Sequence, residues 1–74
     1  INVSGVAKEK LASNQVIAKA VGDAKQRLAD KGRVLLRASG TEALIRVMIE
    51  AQDLSLAQEL ASELATLVKS ELSL

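Results

Sequence analysis

Arg33-Val34-Leu35-Leu36-Arg37-Ala38-Ser39-Gly40-Thr41-Glu42-Ala43-Leu44-Ile45-Arg46-Val47-Met48-Ile49-Glu50-Ala51 occupies the middle of the chain as two apolar segments around a small polar turn. The second segment, residues 44–51, alternates. Ile45, Val47 and Ile49 fall on one side, and Leu44, Arg46, Met48 and Glu50 on the other, the two-residue period of a half-buried strand. In the first segment, residues 33–37, Val34 and Leu36 share one face while Leu35 and Arg37 share the opposite one. Two strands this close in sequence pair as an antiparallel hairpin, here with residues 38–43 as its loop.

Side-chain parity then places the charges. If Val34, Leu36, Ile45, Val47 and Ile49 cover the core, Arg37 and Arg46 both turn to the open face, at the loop end of the hairpin. Two guanidinium groups would converge beside Ser39-Gly40-Thr41. A phosphate needs fixed donors and positive charge. Turn amides can form an anion-holding nest, and a glycine lets a ligand approach the backbone. Ser39 and Thr41 add hydroxyls, and the arginines add forked, charge-assisted bonds matched to phosphate oxygens. The candidate phosphate-binding residues are therefore Arg37, Ser39, Gly40, Thr41, Glu42 and Arg46. Glu42 fits least, since a carboxylate repels phosphate unless an arginine neutralises it. It either pairs with Arg46 or faces water or a sugar hydroxyl. The competing reading is an ordinary hairpin turn with solvated arginines.

Outward from the hairpin, Ile17, Val21, Ala24 and Leu28 recur at helical spacing over residues 14–30, with Ser13 or Asn14 as N-cap. Lys31 and Gly32 look like the stop, with Gly32 at the left-handed position after the helix. Gly22 weakens this helix and is expected to pack closely on the sheet. A second helix, residues 55–71, carries the stripe Ala57, Leu60, Ala61, Leu64, Leu67 and Val68. Ser55 with Gln58 makes a capping box, and Asp53 is the competing cap. Residues 1–3 read as a strand, and residues 4–13 as polar and irregular. The charge run Lys8-Glu9-Lys10 reads as a solvated edge. The expected fold is α+β, with two helices on one face of a small antiparallel sheet, in the order strand-helix-strand-strand-helix.

Composition excludes several functions. With no cysteine and no histidine, zinc sites built on those residues and His-based triads are out. There is no aromatic residue to stack a base, and the net charge is +1, so no nucleic-acid partner is expected. No apolar run approaches ~20 residues, so no membrane partner is expected either. The chain opens at Ile1 without Met. We expect residues 1–74 to be a single domain excised from a larger multidomain protein.

The segment from Gly32 to Glu50 closely resembles the C-terminal phosphate-binding segment of the α-D-phosphohexomutases. The arginine and Ser39-Gly40-Thr41-Glu42 turn is shared across sister mutases, and Ile45-Arg46-Val47-Met48 leans toward the amino-sugar branch. Ile1-Asn2-Val3 resembles the first strand of that family's last domain, so the likeness runs through essentially the whole chain. It implies a cytoplasmic parent isomerase that interconverts glucosamine 6-phosphate and glucosamine 1-phosphate for amino-sugar biosynthesis. That parent would use a phosphoserine, a bisphosphorylated intermediate and Mg2+ bound outside these residues. Here the partners would be a phosphorylated hexosamine and the remaining domains of the parent chain. Arg37, Ser39, Gly40, Thr41 and Arg46 would grip the phosphate that is not being transferred, with Glu42 nearby. Catalytic residues and metal ligands are expected to be absent. The family's serine motif has His and Pro, which this chain lacks, and its magnesium loop is an Asp-Gly-Asp run, whereas Asp23, Asp30 and Asp53 are scattered. The family's Pro after the Glu is Ala43 here, which removes a fixed φ and should loosen the turn. Two other readings remain at this point. One is a branch acting on mannose or glucose phosphates. The other is an α+β regulatory or dimerisation module pairing through Leu35, Leu44 and Met48.

Overall fold

A computed structural model describes all of residues 1–74. The elements are β1 (Asn2–Ser4), a single 3₁₀ turn (Lys8–Lys10), α1 (Gln15–Leu28), β2 (Gly32–Ala38), β3 (Leu44–Ala51) and α2 (Leu54–Leu72). The sheet order is β1-β3-β2, antiparallel throughout. This is the expected α+β class, with both helices packed on one face of the sheet.

The expected side-chain parity governs the core. Val34, Ile45 and Val47 are buried against Ile17, Ala24 and Leu28 of α1 and Leu60, Leu64, Val68 and Leu72 of α2. Ile45 and Val68 are fully buried. In a chain this small, such side chains supply most of the driving force, each about 1.5–3 kcal/mol of transfer free energy.

Each helix start goes to one of its two candidate caps. Asn14 Oδ1 accepts from the Ile17 amide at 2.9 Å, so Asn14 caps α1. Asp53 Oδ1 accepts from Leu56 at 3.1 Å, so Asp53 caps α2 and the Ser55–Gln58 box does not form. The helix begins at Leu54, which leaves Ser55 inside the first turn. Gly22 is exposed, and a Cβ there would meet nothing. The close packing expected for it does not occur.

The end of α1 also differs from expectation. The left-handed residue is Ala29, at φ 53 and ψ −125, not Gly32. The Lys31 amide donates to the Leu28 carbonyl at 3.0 Å, closing a tight turn whose first central position is Ala29. Those angles are the II′ type, which favours glycine because a Cβ is crowded there. Ala29→Gly is therefore expected to stabilise the fold by ~1 kcal/mol, read as a raised urea midpoint at unchanged m-value. Gly32 instead opens β2, opposite Ala51. A Cβ on it would collide with the Glu50 carbonyl oxygen and lie 3.1 Å from the Ala51 Cα. It is kept small by a neighbouring strand and not by helix termination.

The segment after β1 is anchored, not irregular. Val6 and Ala7 are buried. Val6 bridges to Ser73, the Ala7 amide donates to Leu72 O at 2.7 Å, and the Leu74 amide donates to Gly5 O at 3.0 Å. The start of the chain is thus tied to the end of α2, which brings residues 5–8 alongside the hairpin loop.

Candidate functional site

The register of the hairpin makes Arg37 and Arg46 direct partners across β2 and β3. Residues directly opposite in an antiparallel pair share a face and lie within side-chain reach. Down this face the rows differ in character. Arg33 and Glu50 form an ion pair at 2.8 Å, Leu35 faces Met48, and Arg37 faces Arg46. The three ion pairs of the molecule use Arg27 and Arg33 only. Two like charges, directly opposite and without a carboxylate, are unfavourable in the free domain. An anion between them would reverse the sign of that interaction.

Arg37, Ala38, Ser39, Gly40, Arg46 and Met48 line a cleft of about 250 Å³. Four of the six candidate residues are therefore together in it. Thr41 and Glu42 are exposed beside it and do not line it. Glu42 makes no ion pair with Arg46, so the proposed neutralisation is absent and its carboxylate faces water.

The loop is one residue shorter than expected, residues 39–43, because Ala38 belongs to β2. The Ser39 amide continues the ladder to Leu44 O at 2.9 Å, and the Leu44 amide closes on Glu42 O at 2.8 Å. The Thr41 and Glu42 amides turn inward to Ser39 Oγ at 3.4 and 3.3 Å. These two amides are thus not the open nest that the sequence led us to expect. Their engagement gives Ser39 a definite role: an oxygen accepting two amides has its own proton free to donate. The Gly40 amide has no partner in the chain. A Cβ at Gly40 would meet nothing within 4 Å, so the fold itself does not require glycine there.

The Ala43 carbonyl accepts from the Gly5 and Val6 amides at 2.9 and 3.4 Å. The end of the turn is thereby held by β1's continuation, whether or not a proline fixes its φ. Sequence reasoning missed Lys8. Its Nζ donates to the Ser39 carbonyl at 2.6 Å, so the run read as a solvated edge sends one cation to the loop. The available signal was Val6-Ala7, an apolar pair that buries the backbone just before it.

Leu44 is buried, outside the contiguous core cluster. It is thus unavailable to the pairing surface considered above, which is reduced to Leu35 and Met48.

Nowhere do three or more His, Cys, Asp or Glu side chains gather, so the residues present do not fit a magnesium site. No helix is long and apolar enough to cross a membrane.

Fold and cleft together define a small α+β domain that concentrates unpaired cations at one hairpin loop. Residues 1–67 match the family model for the phosphoglucomutase/phosphomannomutase C-terminal domain, and the chain belongs to that family. It is similar to proteins named phosphoglucosamine mutase. The one from Thermobifida fusca (strain YX) is 50% identical over 74 residues, 100% of this chain and 16% of that protein. The one from Rhodococcus erythropolis (strain PR4 / NBRC 100887) is 54% identical over 70 residues, 95% of this chain and 16% of that protein. The one from Streptomyces coelicolor is 49% identical over 72 residues, again 16% of its length. The chain thus spans about a sixth of the relatives it matches.

Proposed function

We propose that residues 1–74 are the substrate-phosphate-binding domain of a phosphoglucosamine mutase and clamp the phosphate that is not being transferred. The observation that carries this reading is the facing pair Arg37 and Arg46, unpaired by any carboxylate, at a cleft shared with Ser39 and Gly40. The guanidinium groups supply charge, and the Ser39 hydroxyl and Gly40 amide supply neutral donors. Holding a remote phosphate positions the reacting one, so binding energy made far from the chemistry lowers the barrier. The parent acts on glucosamine 6-phosphate and glucosamine 1-phosphate in the cytoplasm. Its phosphoserine and Mg2+ lie outside residues 1–74, and this domain alone has no mutase activity.

The test is an NMR titration with glucosamine 6-phosphate. One clamp without the rest of the active site is expected to bind near 1 mM, about −4 kcal/mol. The amides of Ser39, Gly40 and Thr41 should move first. Shifts confined to the helices would overturn the assignment.

The family model is described by phosphoglucomutase and phosphomannomutase, which supports a second reading in which the parent acts on glucose or mannose phosphates. The cleft reads phosphate and not sugar. Assay of the complete enzyme against the three sugar phosphates separates the two.

A further inference from the structure

Residues 5–8 hold both ends of the hairpin loop. The Gly5 and Val6 amides fix the Ala43 carbonyl at 2.9 and 3.4 Å, and the Lys8 ammonium fixes the Ser39 carbonyl at 2.6 Å. Lys8 is half-buried and takes part in no ion pair. A partly desolvated ammonium held by one carbonyl keeps uncompensated positive charge at the loop. The bond also acts through the peptide. No peptide bond in the chain is cis, so the Gly40 N–H lies antiparallel to the Ser39 carbonyl across the planar amide. Fixing that carbonyl on Lys8 fixes the direction of the Gly40 N–H, which has no other partner. A cation on the oxygen also polarises the amide and strengthens its N–H as a donor.

We infer that Lys8 is a positioning residue of the cleft: it locks the Ser39–Gly40 peptide so that the Gly40 amide is presented to a bound phosphate monoester. This rests on the reading of the cleft as a phosphate site. Lys10 is the internal control, since it carries the same charge two residues on, is exposed and joins no ion pair.

The experiment is a 15N NMR titration of the 74-residue chain with inorganic phosphate and with glucosamine 6-phosphate. Wild type, Lys8→Met, Lys8→Arg and Lys10→Met are compared. Lys8→Met is expected to raise Kd by about five- to ten-fold and to shrink the phosphate-induced shift of the Gly40 amide. Lys8→Arg, which can still donate to the Ser39 carbonyl, restores most of both. Lys10→Met changes Kd by less than about two-fold. The Ile45 and Val68 amide shifts report an intact fold; if Lys8→Met loses them, Lys8→Leu, which likewise cannot donate to the Ser39 carbonyl, carries the same comparison. Equal weakening by Lys8→Met and Lys10→Met would reduce Lys8 to a diffuse charge and overturn the inference. So would a Lys8→Met chain that binds as wild type with an unchanged Gly40 response. Absence of any saturable shift in the wild type is a separate outcome, which removes the phosphate site and the inference with it.

Discussion

Arg37→Ala is expected to lower kcat/KM for the sugar phosphate by about 10²–10³-fold in the complete enzyme, from the loss of charge-assisted bonds worth about 1.5–3 kcal/mol each. The same change is expected to leave thermal stability unaltered or slightly raised. Arg37 stands directly opposite Arg46, and removing one of two facing like charges relieves repulsion in the free domain by a few tenths of a kcal/mol or more. Loss of function without loss of stability is the signature of a binding residue; a structural arginine would lose both. Arg37→Lys should recover only part of the activity, because an ammonium keeps the charge but not the planar fork. Kinetics and a melting curve on the same preparations check all three statements. Unchanged kinetics would take Arg37 out of the site, and a large drop in melting temperature would make it structural.

Gly32→Ala has the largest expected effect on stability. Its Cβ would collide with the Glu50 carbonyl oxygen, a backbone atom that cannot swing aside, and would crowd Ala51 on the facing strand. Either the hairpin end separates or the β2–β3 ladder shifts. We expect a cost of ~2–3 kcal/mol. A domain of this length has roughly 4–11 kcal/mol in total, so such a loss is a large share. Urea denaturation reads it directly, as a fall in midpoint. A midpoint within experimental error of wild type would show that the Glu50–Ala51 backbone yields at little cost. The same substitution at Gly22, exposed and open on α1, meets no such obstacle and gains helix propensity instead.

Much of the fold was legible from local pattern. Alternation over residues 44–51 gave β3 at its observed bounds, since the two-residue period and the core face are properties of a strand taken alone. The helix faces followed from 3.6-residue spacing in the same way: Ile17, Ala24 and Leu28 of α1 and Ala57, Leu60, Leu64 and Val68 of α2 are buried, while Val21, Ala61 and Leu67 flank them half-buried. Where the text offered two answers, tertiary structure chose. Asn14 over Ser13 and Asp53 over Ser55 are settled by which side-chain oxygen reaches the amide three residues on, since all of these residue types can cap a helix. Gly32 was misread for a related reason. A glycine after a lysine is the usual mark of a helix end, but its demand for space comes from Glu50 and Ala51, distant in sequence.

The cleft divides along the same line. That Arg37 and Arg46 share a face is determined by the sequence, because parity within each strand and a short loop leave one simple register for a hairpin with a buried side. That they stand as direct partners, that the Thr41 and Glu42 amides turn onto Ser39 Oγ, and that Glu42 stays apart from Arg46 were decided by the folded loop alone. Lys8 belongs wholly to the second kind. It reaches Ser39 across 31 positions of sequence, because burial of Val6 and its bridge to the end of α2 steer the chain there. Periodicity reports what a residue does within its own element, whereas contact between distant elements depends on how all of them pack.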